Sequence, residues 1–139
     1  MSDVATDVAT DVATVIVDFH AGAALSDCVD SLHANGVLDI VVVENGVAGS
    51  TMPALSGQRV VLVEPNLNLG YGRGVNRGAA LAPRRRFLLV SNPDLVVHDG
   101  AVGAMAAHLD AHPEVAVVGP RIVRTDGTVY PSLRVFPNR

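Results

Sequence analysis

The chain has 139 residues, which suits one domain with a real hydrophobic core. Its formal charge is −4 and its ten basic residues are all arginine, so we expect no attraction to nucleic acid or to an anionic membrane. The single cysteine, Cys28, excludes an internal disulfide and a multi-cysteine metal site; we expect a buried, inert thiol. No apolar run approaches the roughly 20 residues of a membrane span. We therefore expect a cytoplasmic protein, which other proteins could hold at the inner face of a membrane.

The chain begins with three copies of Asp-Val-Ala-Thr, from Asp3 to Thr14. In a helix, Asp3, Asp7 and Asp11 would form a column of like charges beside β-branched residues, which disfavours that helix. We predict a disordered tail over residues 1–11 and one domain over residues 12–139.

Short β-branched runs then alternate with helical patterns, and the near absence of aromatic residues favours a Val-, Leu-, Ile- and Ala-rich core. The predicted strands are Thr14–Asp18, Ile40–Glu44, Val60–Glu64, Phe87–Ser91 and Val115–Gly119. The predicted helices are Ala23–Ala34, Gly74–Leu81 and Gly100–Leu109. The Asp126-Gly127 pair predicts a hairpin between Ile122–Arg124 and Thr128–Tyr130. Together these elements predict an α/β fold: a doubly wound, mostly parallel sheet with a C-terminal hairpin.

Residues 68–78 read NLGYGRGVNRG, with glycines at 70, 72, 74 and 78. The run has no Gly-Lys-Ser/Thr and lacks G-x-G-x-x-G spacing, so a P-loop is excluded and a dinucleotide site is weakly supported. Two interpretations remain open. The glycines could let the backbone approach a ligand, or they could form a flexible loop and a helix that packs tightly, with Gly78 against the sheet.

Three acids follow predicted strands, namely Asp18, Glu44 and Asp94. Because parallel strands end at one edge of the sheet, we expect these carboxylates at one rim, where ligands of such sheets bind. Asp94 is well placed for a divalent cation, although it could instead cap the next turn. His20 lies just past the first strand and could reach the same rim.

In this order the motifs resemble the inverting glycosyltransferases of family 2, which have the GT-A fold, and especially their rhamnosyltransferase-like branch. The resemblance runs from about Val12 to Pro137. It rests on VIVDFH at 15–20, VVVEN at 41–45, the glycine run, LLVSNPD at 88–94, VGPR at 118–121, Asp126-Gly127 and SLRVFP at 132–137.

The resemblance implies a nucleoside-diphosphate sugar, UDP- or dTDP-linked, whose diphosphate is bridged by Mg²⁺ or Mn²⁺. Asp94 would bind the metal, with Asn92 at the position of a first acid, and Glu44 would hydrogen-bond the base or ribose. Asp18 and His20 would lie beside the nucleotide. The predicted nucleotide-sugar-binding residues are Asp18, His20, Glu44, Asn45, Gly70, Tyr71, Gly72, Asn76, Asn92 and Asp94.

Two departures from the family pattern shape the hypotheses. Glu44 stands where Asp is usual, so its carboxylate lies one methylene farther from the backbone, and we expect base recognition to be weakened or altered. The family's catalytic base lies beyond the Phe-Pro motif and has no counterpart here, so no catalytic residue is assigned.

The first hypothesis is the donor-binding part of an enzyme that transfers a sugar, with inversion, to a lipid-linked or cell-wall polysaccharide acceptor, and that is inactive alone. The alternative is a non-catalytic nucleotide-sugar-binding or interaction module that pairs with itself or with another chain, covering the missing acceptor half. A nucleotidyltransferase ranks third, because no glycine-rich signature with a basic residue lies near the first strand.

Overall fold

A computed structural model describes residues 11–46 and 48–132. The elements, in chain order, are β1 (Val12–Asp18), α1 (Ala23–Ala34), β2 (Asp39–Glu44), a 3₁₀ helix (Met52–Leu55), β3 (Val61–Val63), α2 (Tyr71–Ala79), β4 (Phe87–Ser91) and α3 (Ala101–Ala111). Across these ranges, none of the helices combines the length and apolarity that a membrane span requires.

The four strands form one parallel sheet in the order β3-β2-β1-β4. In the register, Asp18 lies beside Glu44, and Ile16 lies beside Ser91, so the carboxyl ends of β1, β2 and β4 meet at one edge. The chain builds outward from β1 to β3 and then returns to place β4 on the other side of β1. The edge between β1 and β4 is therefore the topological switch point, where open α/β sheets bind ligands.

Helices cover both faces of the sheet, which confirms the doubly wound arrangement. On one face, Leu25 of α1 and Val102 of α3 are buried against Ile16 of β1. On the other face, α2 and the residues after it cover a smaller cluster that includes Val15 and Val43. Because β1 and β2 are buried on both faces, their sequences are nearly continuous apolar runs.

Helix α2 lies very close to the sheet, and two glycines of the 68–78 run explain how. A Cβ atom on Gly78 would lie 2.5 Å from Cγ1 of Val15, and a Cβ atom on Gly74 would lie 3.0 Å from Cγ1 of Val17. Both glycines are buried. The packing interpretation of the run is therefore confirmed for these two positions, and the helix begins at Tyr71, three residues before the predicted start.

The arginine run before β4 forms ion pairs at the amino-terminal edge of the sheet. The Arg85 Nε atom lies 2.6 Å from a carboxylate oxygen of Asp39, and Arg86 pairs with Asp110 of α3 and, at 3.8 Å, with Asp11. These pairs are exposed, so each stabilises the fold only slightly.

The predicted tail of residues 1–11 lies outside the described residues except for Asp11. The carbonyl oxygen of Asp11 accepts a hydrogen bond from the backbone N–H of Phe87, at 3.1 Å. Asp11 is therefore attached to the sheet at the start of β4.

The predicted strand Val115–Gly119 is wrong. Within the described residues it takes no part in the sheet, and Val117 is 85% exposed. Its sequence suits a strand, but a strand forms only where it lies directly beside another one and pairs with its N–H and C=O groups. Ala116–Val118 instead lie across an apolar cavity of about 130 Å³ from β4.

The predicted hairpin is present as a turn with little pairing. The N–H of Gly127 bonds to the carbonyl of Arg124 at 2.9 Å, and Val123 and Val129 form an isolated antiparallel bridge in the described part of the chain. The SLRVFP motif falls mostly outside the described residues, since only Ser132 is included.

Candidate functional site

An open cleft of about 340 Å³ lies at the switch point between the ends of β1 and β4. It is lined by Val17, Phe19, Ala21, Ala24, Tyr71, Asn92, Pro93 and Asp94. Three of the predicted site residues, Tyr71, Asn92 and Asp94, thus come together from two separate segments of the chain. A concave site that combines apolar surface with a few polar groups is typical of small-molecule binding.

Two hydrogen bonds to its backbone stabilise the turn that carries Asn92 and Asp94. The backbone carbonyl of Asn92 accepts hydrogen bonds from Oγ of Ser91, at 3.0 Å, and from Sγ of Cys28, at 3.5 Å. The side chain of Asp94 is exposed and accepts no hydrogen bond from the described residues. Its carboxylate is therefore available to a ligand.

A single free carboxylate fits a Mg²⁺ or Mn²⁺ ion of the kind that the resemblance implies. Magnesium in phosphate-binding sites uses one or two carboxylates, several waters and phosphate oxygens of the substrate. Within the described ranges, no three His, Cys, Asp or Glu side chains cluster closely enough to hold a metal by themselves. Asp94 could therefore hold such an ion together with oxygens of the bound molecule.

Cys28 lies beneath this turn and is buried, as predicted. Burial, with a smaller contribution from the negative charge of Asp94, raises the pKa of the thiol, and this outweighs the hydrogen bonding that lowers it. The raised pKa keeps the thiol protonated and unreactive near neutral pH.

Phe19 also lines this cleft, although it was not among the residues predicted from the sequence. Its ring is 57% exposed although it directly follows a strand that is wholly buried, and it lines the same cleft as Tyr71, which is also exposed. Two exposed aromatic rings in one cleft offer flat apolar surface to a planar or ring-shaped ligand. Its position could have indicated this role, because Phe19 is a large aromatic residue that directly follows the carboxyl end of a parallel strand.

The carboxylates of Glu44 and Asp18 are brought together as predicted, but they are only 2% exposed. Glu44 accepts hydrogen bonds from the backbone N–H and Oγ of Ser50, at 3.0 and 2.7 Å, and from the N–H of Thr51, at 3.3 Å. Asp18 accepts one from Oγ1 of Thr51, at 2.7 Å, and one from the N–H of Ala21, at 3.2 Å. Thr51 thus bridges both acids, which bind the Ser50-Thr51 segment rather than face the cleft.

These bonds also set the charge of Glu44. Burial on its own would raise the pKa of the Glu44 carboxyl, but the hydrogen bonds from Ser50 and Thr51 outweigh it and hold that pKa below its ordinary value. Glu44 is therefore ionised in the folded chain at neutral pH.

A lowered pKa makes the stability depend on pH. The contribution of Glu44 is fully present above the ordinary glutamate pKa of about 4.3, and it is lost as the pH falls through the lower pKa of the folded state. We expect the free energy of unfolding, measured in urea, to fall as the pH is lowered below about 4.3, and to fall less steeply in Glu44→Gln. Identical slopes in the two proteins would contradict this assignment.

Asn45 is buried and positions the loop before α2. Its Oδ1 accepts the N–H of Leu69 at 2.7 Å, and its Nδ2 donates to Oδ1 of Asn68 at 3.0 Å; the same Asn68 oxygen accepts the N–H of Gly70 at 2.8 Å. Gly70 has a φ of 75°, which favours glycine. Gly72, in the first turn of α2, is exposed and a Cβ atom there would meet nothing. Asn45 thus places the loop, while Gly70 and Gly72 leave it open to a ligand.

Two other predicted residues lie apart from the cleft lining. The exposed ring of His20 packs over the end of β2, where a Cβ atom on Gly46 would lie 2.9 Å from its Cε1, and its backbone φ is 59°. Asn76 is exposed on α2, two residues after Gly74 and two before Gly78, and hence on the face opposite the sheet. The structure brings neither residue beside Asp94 in the cleft.

Comparison with known proteins agrees with the motifs. The model of glycosyl transferase family 2 matches residues 14–136. Two relatives from Mycobacterium tuberculosis, of strains CDC 1551 / Oshkosh and ATCC 25618 / H37Rv, are each named N-acetylglucosaminyl-diphospho-decaprenol L-rhamnosyltransferase; each is 31% identical over 121 residues. Each match covers 78% of this chain and 39% of the relative, so the chain spans less than half of their length. Since the family model matches nearly the whole domain, this chain belongs to glycosyl transferase family 2.

Proposed function

We propose that this chain binds the nucleoside-diphosphate sugar donor of a family 2 glycosyltransferase in the cleft between the ends of β1 and β4. The observation that supports this most strongly is the meeting of the free Asp94 carboxylate with the exposed rings of Phe19 and Tyr71 at the switch point of the sheet. A nucleotide sugar offers groups that match both: a diphosphate that binds divalent cations, and flat rings that stack on aromatic side chains.

In this proposal Asp94 holds a Mg²⁺ or Mn²⁺ ion, which would neutralise the charge of the diphosphate leaving group. Asn92 adds a polar side chain beside Asp94, and the exposed backbone around Gly70 and Gly72 leaves room for the ligand. That the Glu44 carboxylate accepts a hydrogen bond from the base or ribose stays a prediction. Because Ser50 and Thr51 engage its carboxylate, that contact requires their hydrogen bonds to be exchanged for those of the ligand.

The nature of the relatives suggests the reaction that the site serves. Their name describes rhamnosyl transfer to a lipid-diphosphate-linked sugar. We propose a dTDP- or UDP-linked donor, a lipid-linked or polysaccharide acceptor and transfer with inversion. Since we assign no catalytic base in this chain, we expect donor binding without transfer by the chain alone.

Isothermal titration calorimetry with UDP and dTDP, in the presence of Mn²⁺, tests the donor site. We expect binding to the wild-type chain and at least about tenfold weaker binding to Asp94→Ala. Without the Asp94 carboxylate the site no longer holds the divalent cation, and the negative charge of the diphosphate is then not neutralised. EDTA should weaken wild-type binding to the level of Asp94→Ala.

The matched control is Asp99→Ala, which removes another exposed acid of the same loop between β4 and α3, at a position that does not line the cleft. It should bind like the wild type. Absence of heat with either nucleotide, or equal affinities of the wild type and Asp94→Ala, would refute the proposed function.

A further inference from the structure

The segment that carries Asp94, residues 92–97, follows β4 and has no regular secondary structure of its own. Its far end is bonded to α1 through both backbone groups of one residue. The N–H of Val97 donates to Oγ of Ser31, at 2.9 Å, and the carbonyl of Val97 accepts from Nδ2 of Asn35, at 3.2 Å. The side chain of Val97 also packs against the main core. This end of the segment is therefore fixed to the helix.

The near end of the segment is attached to the same helix. Sγ of Cys28 donates to the backbone carbonyl of Asn92 at 3.5 Å. Cys28, Ser31 and Asn35 are three and four residues apart, so they lie on one face of α1. That face bonds to residues 92 and 97, and Asp94 lies between these two attachments.

The hydroxyl of Ser31 is oriented for its contact with the segment. It donates its proton to the carbonyl of Cys28, at 2.7 Å, one turn earlier in the helix. Its oxygen lone pairs are then free to accept the N–H of Val97. Alanine at position 31 would leave that half-buried N–H without its partner, although such groups need one.

We infer that Ser31 is a positioning residue, which fixes the backbone of the segment so that the Asp94 carboxylate meets the divalent cation of the donor. This inference rests on the proposed function, because it concerns the cation that Asp94 would hold. The Asp94 side chain accepts no hydrogen bond from the described residues, so its position depends on the backbone that α1 holds. Replacing a residue that orients a metal ligand typically lowers metal affinity about 10- to 100-fold.

A purely structural role for Ser31 is the alternative interpretation. Both interpretations predict some loss of stability in Ser31→Ala, so stability does not separate them. The dependence of nucleotide binding on the cation does. A positioning role acts only through the cation, whereas a lower folded fraction weakens binding equally with and without it.

Nucleotide affinity measured in Mn²⁺ and in EDTA makes this separation. The probe is UDP or dTDP, with calorimetry in Mn²⁺ and amide NMR shifts for the weaker binding in EDTA. We expect Ser31→Ala to weaken binding about tenfold in Mn²⁺ and to leave binding in EDTA unchanged. In the Asp94→Ala background, Ser31→Ala should have no effect in either solution, because its effect passes through the Asp94 carboxylate. Ser31→Thr keeps the hydroxyl and should bind like the wild type.

The matched control is Ser26→Ala. Ser26 is a half-buried serine of the same helix, but its hydroxyl accepts a hydrogen bond from Nε2 of Gln58, at 3.2 Å. Ser26→Ala therefore removes a serine hydroxyl and one hydrogen bond without touching the segment. It should leave nucleotide affinity in Mn²⁺ unchanged.

Hydrogen exchange of the ligand-free chain tests the attachment itself. We expect the amide of Val97 to exchange at least about tenfold faster in Ser31→Ala than in the wild type, because its hydrogen-bond acceptor is lost. The amide of Leu62, in β3, should exchange alike in both proteins. Unchanged exchange of Val97 would overturn the inference.

The binding results distinguish failure of the inference from failure of the proposed function. Equal affinities of the wild type and Asp94→Ala in Mn²⁺ would refute the proposed function, and the inference with it. If Asp94→Ala weakens binding but Ser31→Ala does not, the positioning role alone is overturned. An equal loss in Mn²⁺ and EDTA, a loss shared by Ser26→Ala, or failure of Ser31→Thr to restore binding would also overturn that role alone.

Discussion

Replacing Gly78 by alanine is expected to destabilise the domain by about 1–3 kcal/mol, as overpacking of a well-packed core does. The new Cβ atom would lie 2.5 Å from Cγ1 of Val15 and 3.0 Å from Cγ2 of Val43. Both valines are fully buried on adjacent strands, so neither can move aside without disturbing the sheet. The same change in an open helix would instead stabilise it by up to about 1 kcal/mol.

Urea unfolding followed by circular dichroism measures the effect. Gly72→Ala is the matched control, because it lies in the same helix and its Cβ atom would meet nothing within 4 Å. The double variant Gly78→Ala with Val15→Ala should lose less stability than the sum of the two single variants, since Val15→Ala removes the methyl groups that the new Cβ atom would strike. If Gly78→Ala and Gly72→Ala change the free energy of unfolding equally, the close approach of α2 to the sheet is refuted.

Replacing Thr51 by valine is the second change with a large expected effect. Valine keeps the shape of threonine but removes the hydroxyl that donates to the buried carboxylate of Asp18 at 2.7 Å. A hydrogen bond to a charged group contributes about 1.5–3 kcal/mol, and we expect a loss of this size in the free energy of unfolding. The backbone bond from Thr51 to Glu44 does not depend on the side chain and should remain.

Thr51→Ser is the control, because it retains the hydroxyl, and it should lose much less stability than Thr51→Val. A double-mutant cycle with Asp18→Ala, which removes the acceptor, isolates the pair, and we expect a coupling energy of at least about 0.5 kcal/mol. Additive effects of the two substitutions would show that the hydroxyl and the carboxylate do not interact.

The four strands of the sheet were predicted to within two residues at each end, whereas the fifth predicted strand, Val115–Gly119, does not form. Strands β1 and β2 are buried on both faces, so their sequences carry apolar runs that periodicity detects directly. Val115–Gly119 has the same kind of sequence and yet stays outside the sheet. Pairing is a property of two segments, and the sequence of one segment does not contain it.

The site was predictable where it depends on strand direction. Asn92 and Asp94 follow β4 at the carboxyl edge, and ligands of open parallel sheets bind at that edge. The capture of Glu44 and Asp18 by Ser50-Thr51 was not predictable, because it depends on how the chain after β2 folds back over the edge. The two roles of the glycines could not be separated either, since only the packed helix shows which ones face the sheet.

The family, the parallel α/β sheet and the edge at which its polar residues gather could all be predicted from the amino-acid order, because ordered motifs, apolar runs and strand direction are local or additive properties. Which of those residues reach the cleft depends on how the chain packs. The packing leaves Asp94 and Tyr71 exposed, adds Phe19, and encloses Glu44 and Asp18 in hydrogen bonds. The physical reason is that burial and hydrogen-bond partners arise from contacts between distant segments, which no single stretch of sequence specifies.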